Sequence, residues 1–305
     1  MSAVAFWGAI ETGLLYGFLS LGVYLSFRIL KFPDLTVDGS FPLGAAVAAT
    51  LIVQGTNPFL ATGLAVIAGG LAGLCTAWLS VQLKILNLLA SILTMIALYS
   101  INLRIMGKPN VALLGQSTLF DQVVLPLPHL PPQLETPILL LIALALVKVG
   151  VDAFLSSELG LAMRATGMNP TMAQAQGIAT NQLILLGMSM SNALTALVGA
   201  LFAQIYGFAD AALGIGTVVA GLATVILGGV LLPGLTVQRA TLSVILGSIV
   251  YRLAIALALN VDFLGFQAQD LNLVTAILVV ITLVAPNSRS ALQTFRKRRK
   301  AAYRS

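Results

Sequence analysis

The sequence predicts an all-α, polytopic membrane protein with about nine transmembrane segments, inverted repeats and broken short helices. Three observations carry this. The 305 residues are 58% hydrophobic and 9% charged, with mean hydropathy +0.99, against roughly 25% charged residues in soluble domains. The apolar residues fall into runs long enough to cross a bilayer, which takes about 20 residues per helix. One segment, residues 32–48, has a weak second copy at 208–224.

The runs are read at about 4–28, 39–54, 58–83, 87–106, 137–153, 183–206, 217–232, 240–260 and 271–285. No Lys or Arg precedes Arg28, so the first run lacks a signal peptide's basic start and is read as a retained span. The second and seventh runs are short and glycine-rich. Gly13/Gly17, Gly69/Gly73 and Ala196/Ala200 have the four-residue spacing of small residues that lets helices approach closely in lipid, and packing alone explains them. Arg28, Lys31, Lys84, Arg164, Arg239 and the tail share one side if the C-terminus is cytoplasmic. This orientation puts the N-terminus outside and residues 158–182 inside, with Arg104 and Lys108 as exceptions. The loop Gly107–Thr136 then faces outward. With Pro109, Pro126, Pro128, Pro131 and Pro132, it is expected to form a short structured cap.

The whole chain, 1–305, reads as one transmembrane domain. Much of its formal charge of +6 lies in the basic cytoplasmic tail, 287–305. A polybasic stretch beside a span fits anionic lipid, not nucleic acid. Cys75 and His129 are the only cysteine and histidine, which excludes an intrachain disulfide and a Cys- or His-cluster metal site. The chain has no phosphate-binding loop, no zinc-protease motif and no nucleophile elbow, so neither ATP binding by that route nor hydrolytic chemistry is indicated.

Residues 158–182 form a polar island between apolar runs. A turn at Gly167-Met168-Asn169-Pro170 leads into a short helix, Thr171–Gln176, stopped at Gly177. Asn169 suits the N-cap, Pro170 the first turn and Gly177 the left-handed C-terminal position. So short a helix is not stable alone in water. A partner protein on the aqueous side is the natural support.

In the repeat, Phe32 matches Phe208 and Asp34 matches Asp210. After a one-residue shift, Gly39, Ser40 and Gly44 match Gly216, Thr217 and Gly221. The copies follow spans of opposite direction, as in inverted-repeat transporters, so Asp34 and Asp210 are expected near opposite faces at equivalent helix breaks. Chance similarity among Gly/Ala-rich spans is the alternative. Asp34, Thr36, Asp38 and Ser40 form either a pathway or gate element, or a solvated turn in which Asp38 or Ser40 caps the second helix. Ser91, Thr94, Ser100 and Asn102, with Ser189, Ser191 and Asn192, are polar points on apolar helices, for helix–helix hydrogen bonds or pathway lining. Intramembrane Glu11 and Arg252 face the bundle interior, or Arg252 snorkels towards Asn260. The sequence shows no cluster that pairs with both charges of an amino acid, which predicts a wide, weakly selective pathway.

RATGMNPTMAQAQGI followed by MSNALTALVGALFAQ resembles the cytoplasmic coupling loop and next helix of bacterial ABC-importer permeases of the branched-chain amino-acid and ribose superfamily. LLASILTMIALYSINLRIMGKPN (88–110) and YRLAIALALN (251–260) resemble a branch associated with aromatic amino-acid uptake. DLTVDGS (34–40) is similar to the polar turn DLSVGS of the sugar permeases. The resemblance implies a transport subunit rather than an enzyme, in the bacterial inner membrane. Its implied partners are a second permease copy in a homodimer, an ABC ATPase that carries the ATP and magnesium, and an extracytoplasmic binding protein. No cofactor is implied for this chain. Asn169–Gly177 would be the coupling helix, with Arg164, Gly167, Asn169, Pro170, Met172, Ala173 and Gly177 as coupling residues. On the residue reading above, Asp34, Thr36, Asp38, Ser40, Ser91, Thr94, Asn192, Asp210 and Gly216 are expected in the translocation pathway. The cargo is expected to be a small solute, an aromatic or branched amino acid with a sugar or nucleoside as the alternative, moved by ATP-driven alternating access. A secondary transporter or channel is the competing class.

Overall fold

A computed structural model describes residues 3–123, 132–232, 236–259, 276, 277 and 280. The ninth apolar run and the basic tail lie outside the described residues, apart from those last three positions. The eight earlier runs are all helical. Among the described residues six helices are long and apolar enough to cross a membrane, and two shorter apolar ones, Val37–Val53 and Thr217–Leu231, accompany them.

Helix α1 (Ala3–Val23) continues into a π-helical turn, Tyr24–Ile29, which the apolar run at 4–28 does not announce. Leu30 N–H reaches back five residues to the Leu25 carbonyl, and Lys31 adopts φ +54°. Such wide turns occur mostly as single insertions, frequently at functional sites. Here the turn ends the span and sends Phe32–Leu35 back into the protein as extended chain. Helices α2 (Val37–Val53), α3 (Pro58–Val81) and α4 (Asn87–Met106) follow. Asn57 caps α3, with Pro58 in its first turn.

The outer loop contains strand β1 (Asn110–Ala112) and a one-turn helix, α5 (Leu119–Gln122), closed by a Thr118–Asp121 capping box. Its described part, 107–123, is structured, with a strand unannounced in sequence; residues 124–131 of the expected cap lie outside the described residues. Helix α6 (Pro132–Ser156) leads to α7 (Glu158–Met168), α8 (Pro170–Ala175) and α9 (Thr180–Tyr206). Strand β2 (Phe208–Asp210) pairs antiparallel with β1, Asn110 opposite Asp210. Helices α10 (Thr217–Leu231) and α11 (Val237–Leu259) complete the described chain.

Helices α1 and α9 form the centre and run antiparallel. Gly22 lies against Ser191, and ten residues earlier the Thr12 hydroxyl meets that of Tyr206, fifteen residues later on α9. Helices α2 and α3 pack on α9, while α10 and α11 pack on α1. A Cβ at Gly44 of α2 would sit 1.9 Å from the Ala196 carbonyl of α9. A Cβ at its repeat partner Gly221 of α10 would sit 2.7 Å from Val23 of α1. The weak sequence repeat is therefore also an arrangement of packed helices, with α1–α3 echoed by α9–α11. The outward faces of α3, α4 and α6 carry exposed Leu60, Leu64, Ile67, Leu71, Leu93, Ile96, Leu141 and Leu146, the surface a helix presents to lipid.

Candidate functional site

The returning chain carries Asp34 into a place without solvent access: Asp34, Thr36 and Ser40 are all fully buried. The solvated-turn reading of this segment is thereby excluded. Asp34 Oδ1 accepts the Thr36 N–H at 2.9 Å, and Oδ2 accepts Asn192 Nδ2 of α9 at 2.8 Å. Ser40 donates to Asn192 Oδ1 at 2.7 Å. The hydroxyls of Thr36 and Thr76 of α3 lie 2.7 Å apart. A buried polar group without a partner costs on the order of 1–3 kcal/mol, so this closed set fixes the approach of α2, α3 and α9. Thr76 has no sequence signal of its own; a lone threonine in an apolar run becomes visible only once the helices are packed.

Asp38 does not cap its own helix, nor does Ser40. The N-cap of α2 is Thr36, whose side chain makes no capping bond. Instead, the Asp38 carboxylate reaches across to α10: it accepts from Gly216 N (3.2 Å), Thr217 Oγ1 (2.8 Å) and Val218 N (2.8 Å). It thus serves as the N-terminal cap of a helix about 180 residues away. Pro42, lacking an N–H, leaves the Asp38 carbonyl free of its usual helical partner. Gly214 fits there, where a Cβ would lie 1.8 Å from that oxygen. Gly216 has φ +83°, a conformation glycine adopts without strain.

Asp210 repeats the local chemistry of Asp34. Its Oδ1 accepts Ala212 N–H at 2.7 Å, two residues on, and its Oδ2 lies 3.5 Å from the amide of Asn110. The two aspartates follow the far ends of antiparallel α1 and α9, as the repeat predicts. The register match of Gly39 with Gly216 does not survive, because Gly39 is inside α2 whereas Gly216 precedes α10.

Ser91 and Thr94 hydrogen-bond to carbonyls of their own helix, Leu88 and Ala90. Ser91 is fully buried, and Thr94 borders an apolar cavity of about 600 Å3 between α2, α3 and α4. Neither hydrogen-bonds to the Asp34 set among the described residues. Asn102 donates to the Gly39 carbonyl at 3.3 Å, and its Oδ1 has no hydrogen-bond partner among the described residues. Among the described residues no group of His, Cys, Asp or Glu could hold a metal.

The second feature is the α7–α8 hairpin. Ser157 caps α7, accepting from Gly160 N–H, and Asn169 caps α8, accepting from Met172 N–H at 3.1 Å. Gly177, at φ +80°, ends α8 as predicted, and Ile178 N–H closes back on the Ala173 carbonyl. Helix α7 itself was not foreseen: Gly167 and Met168 are its last turn, not a loop. Helix α8 shows one face to solvent, with Asn169, Pro170, Met172 and Gly177 exposed. Ala173 is buried instead and seats α8 against its own chain. Gly167 is buried because α7 lies directly on the end of the π turn, where a Cβ would fall 1.7 Å from the Ile29 carbonyl. Arg164 is half-buried.

A third cluster was not legible in sequence. Arg252 does not snorkel; its guanidinium lies 3.5 Å from the centre of the Tyr16 ring. Tyr16, Phe41, Phe202, Tyr206 and Phe208 form a chain of ring contacts between α1, α2, α9 and β2.

The family of permease components of branched-chain amino-acid transport systems matches residues 7–285. The chain is 38% identical over 281 residues to a tyrosine transport system permease protein of Clostridioides difficile (strain R20291), covering 92% of this chain and 90% of that one. It is 35% identical over 279 residues to an uncharacterised protein of Rickettsia prowazekii (strain Madrid E), covering 90% and 95%. No solved structure matches it significantly.

Proposed function

The chain belongs to the permease-component family of branched-chain amino-acid transport systems, and from that premise we propose that it is the membrane subunit of a binding-protein-dependent ABC importer for an aromatic amino acid. The cargo class rests on the name of the Clostridioides difficile relative. Two copies of this chain pair in the inner membrane, N-terminus outside and C-terminus inside. A separate ATPase carries ATP and magnesium, and a binding protein delivers the ligand to the outer surface.

The observation that carries the reading is α8: a six-residue helix, capped at both ends, exposed on one face and seated by Ala173. Docked in the ATPase, it moves with α7. Helix α7 bears on the Ile29 carbonyl through Gly167. Displacement of the π turn shifts Phe32–Leu35 and hence the Asp34–Asn192–Thr76 tie. The ties at Asp34 and Asp38 hold α2, α3, α9 and α10 together as one body, which rocks rather than deforms. The scarcity of intramembrane acids disfavours coupling to an ion gradient.

Co-purification tests this. The ATPase should be recovered with wild-type permease and lost with Met172→Glu, which alters an exposed side chain without disturbing the seat. Full recovery with Met172→Glu and unchanged transport would remove α8 from the interface.

A further inference from the structure

The apolar cavity between α2, α3 and α4 is a groove made by small side chains. Ala68, Ala72 and Cys75 lie on one face of α3, four and three residues apart, and Ala97 of α4 lines the space with them. Leu43 and Leu98 are buried at its floor, while Cys75 and Ala97 are exposed. Leu71 and Leu93 stand at its rim, on the surface turned to lipid. From Ala68 to Leu79 it runs about 16 Å along α3, roughly one leaflet of a hydrocarbon core about 30 Å thick. Water has little to hold it there, because the Thr94 hydroxyl is engaged with the Ala90 carbonyl at 3.0 Å. Left empty, the walls forfeit dispersion contacts. The Leu79 end lies beside the turn 82–86 that joins the two helices. There Ile85 N–H reaches the Leu79 carbonyl at 3.4 Å, and Ser80 donates to Asn87 Oδ1 at 2.5 Å. Lys84 occupies this turn at φ +55°, a left-handed conformation uncommon for a long side chain. It is exposed, and the one ion pair among the described residues is Lys148–Asp152. Leu86, at the N-cap of α4, makes no side-chain capping bond, so the start of α4 adds no negative charge to offset the lysine.

We propose that the groove between α3 and α4 is a binding site for an anionic phospholipid, with one acyl chain along the Ala68–Leu79 stripe and the phosphate at Lys84. The tail matches the groove in polarity and length, and the head matches the unpaired cation at its mouth. The chain completes the packing of α4 against α3 where side chains as small as alanine leave them apart. The competing occupant is a second copy of this chain. The inference goes beyond the importer reading and holds whatever the cargo.

Trp7 and Trp78 are the only tryptophans, and Trp78 is 45% exposed three residues beyond Cys75. Trp7→Phe leaves Trp78 as the sole reporter in the full-length permease, reconstituted in nanodiscs. Phospholipids with brominated acyl chains quench it at close range, and competition between brominated and plain lipids gives their relative affinities. Phosphatidylglycerol should bind about fivefold tighter than phosphatidylcholine, the size of one lysine's attraction at a membrane surface. Lys84→Gln should abolish this preference and Lys84→Arg should keep it. Ala97→Phe fills the groove from an exposed position and should bring the ratio close to one with Lys84 still present. Equal affinities in the Trp7→Phe protein would overturn the site without any further variant needing to fold. So would a preference that survives Lys84→Gln or Ala97→Phe. Cys75 is the only cysteine, and copper-phenanthroline oxidation should leave the wild-type chain uncrosslinked. A Cys75 disulfide between two copies would put the second copy on the groove and refute the lipid. Neither readout uses ATP or cargo, so failure of import leaves the site standing, and failure of the site leaves the importer reading standing.

Discussion

Asp38→Ala removes a cap that the sequence would assign to the wrong helix, and its cost can be worked through donor by donor. The carboxylate holds Gly216 N, Thr217 Oγ1 and Val218 N. Thr217 has a second acceptor, the Gly214 carbonyl at 3.0 Å, and keeps it in the variant. Gly216 is exposed, and water replaces the lost oxygen. Val218 is 3% exposed, so its N–H is stranded. Losing a cap costs about 0.5–2 kcal/mol, and a charge-assisted bond about 1.5–3 kcal/mol. These terms overlap, so the net loss is about 2–3 kcal/mol. At roughly 2–4 °C per kcal/mol, the thermal midpoint in nanodiscs should fall by roughly 5–10 °C. Asp210→Ala is the internal control. It strands Ala212 N–H, but Ala212 is exposed, and the change should stay within about 1 kcal/mol. Equal midpoints for the two variants, or a wild-type midpoint for Asp38→Ala, would refute the inter-helix cap.

Gly167→Leu should separate α7 from the π turn, because even a Cβ has no room beside the Ile29 carbonyl; ATPase recovery and folded yield should both fall, whereas Gly177→Ala, with open space around it but a positive φ, should lower yield only slightly. Normal yield and ATPase recovery for Gly167→Leu would contradict the contact. For topology, cysteines at Ser2 and Ser305 in a Cys75→Ala background should give impermeant-maleimide labelling at position 2 alone in intact cells. Labelling at 305 would reveal a miscounted span.

What the sequence shows and what it hides divide along physical lines. Helices declare themselves by length of apolar run, and caps by local chemistry, so α3 and α8 lie within a few residues of their expected bounds, with Asn169, Pro170 and Gly177 in their expected roles. The π turn is invisible, because Tyr24–Ile29 has no residue that forbids an ordinary helix; the cause is where the chain must go next. Asp38 is ambiguous for the same reason. An aspartate near a helix start reads as that helix's cap, and only the position of α10 decides otherwise. Ala173 looks like part of a docking surface because the hairpin is polar, yet one face of any docked helix must point inward. Thr76, Tyr206 and Arg252 gain their meaning from helix crossings, which no window of sequence contains.

The central claim is that this chain moves an aromatic amino acid only when an ATPase acts on α8. The most direct measurement is uptake of labelled tyrosine into proteoliposomes holding the permease, with the ATPase, binding protein and ATP added or withheld singly. The account predicts accumulation only when all are present, and its loss in Met172→Glu despite intact insertion. Uptake driven by an ion gradient without ATPase, or ATP-driven uptake undiminished in Met172→Glu, would contradict it.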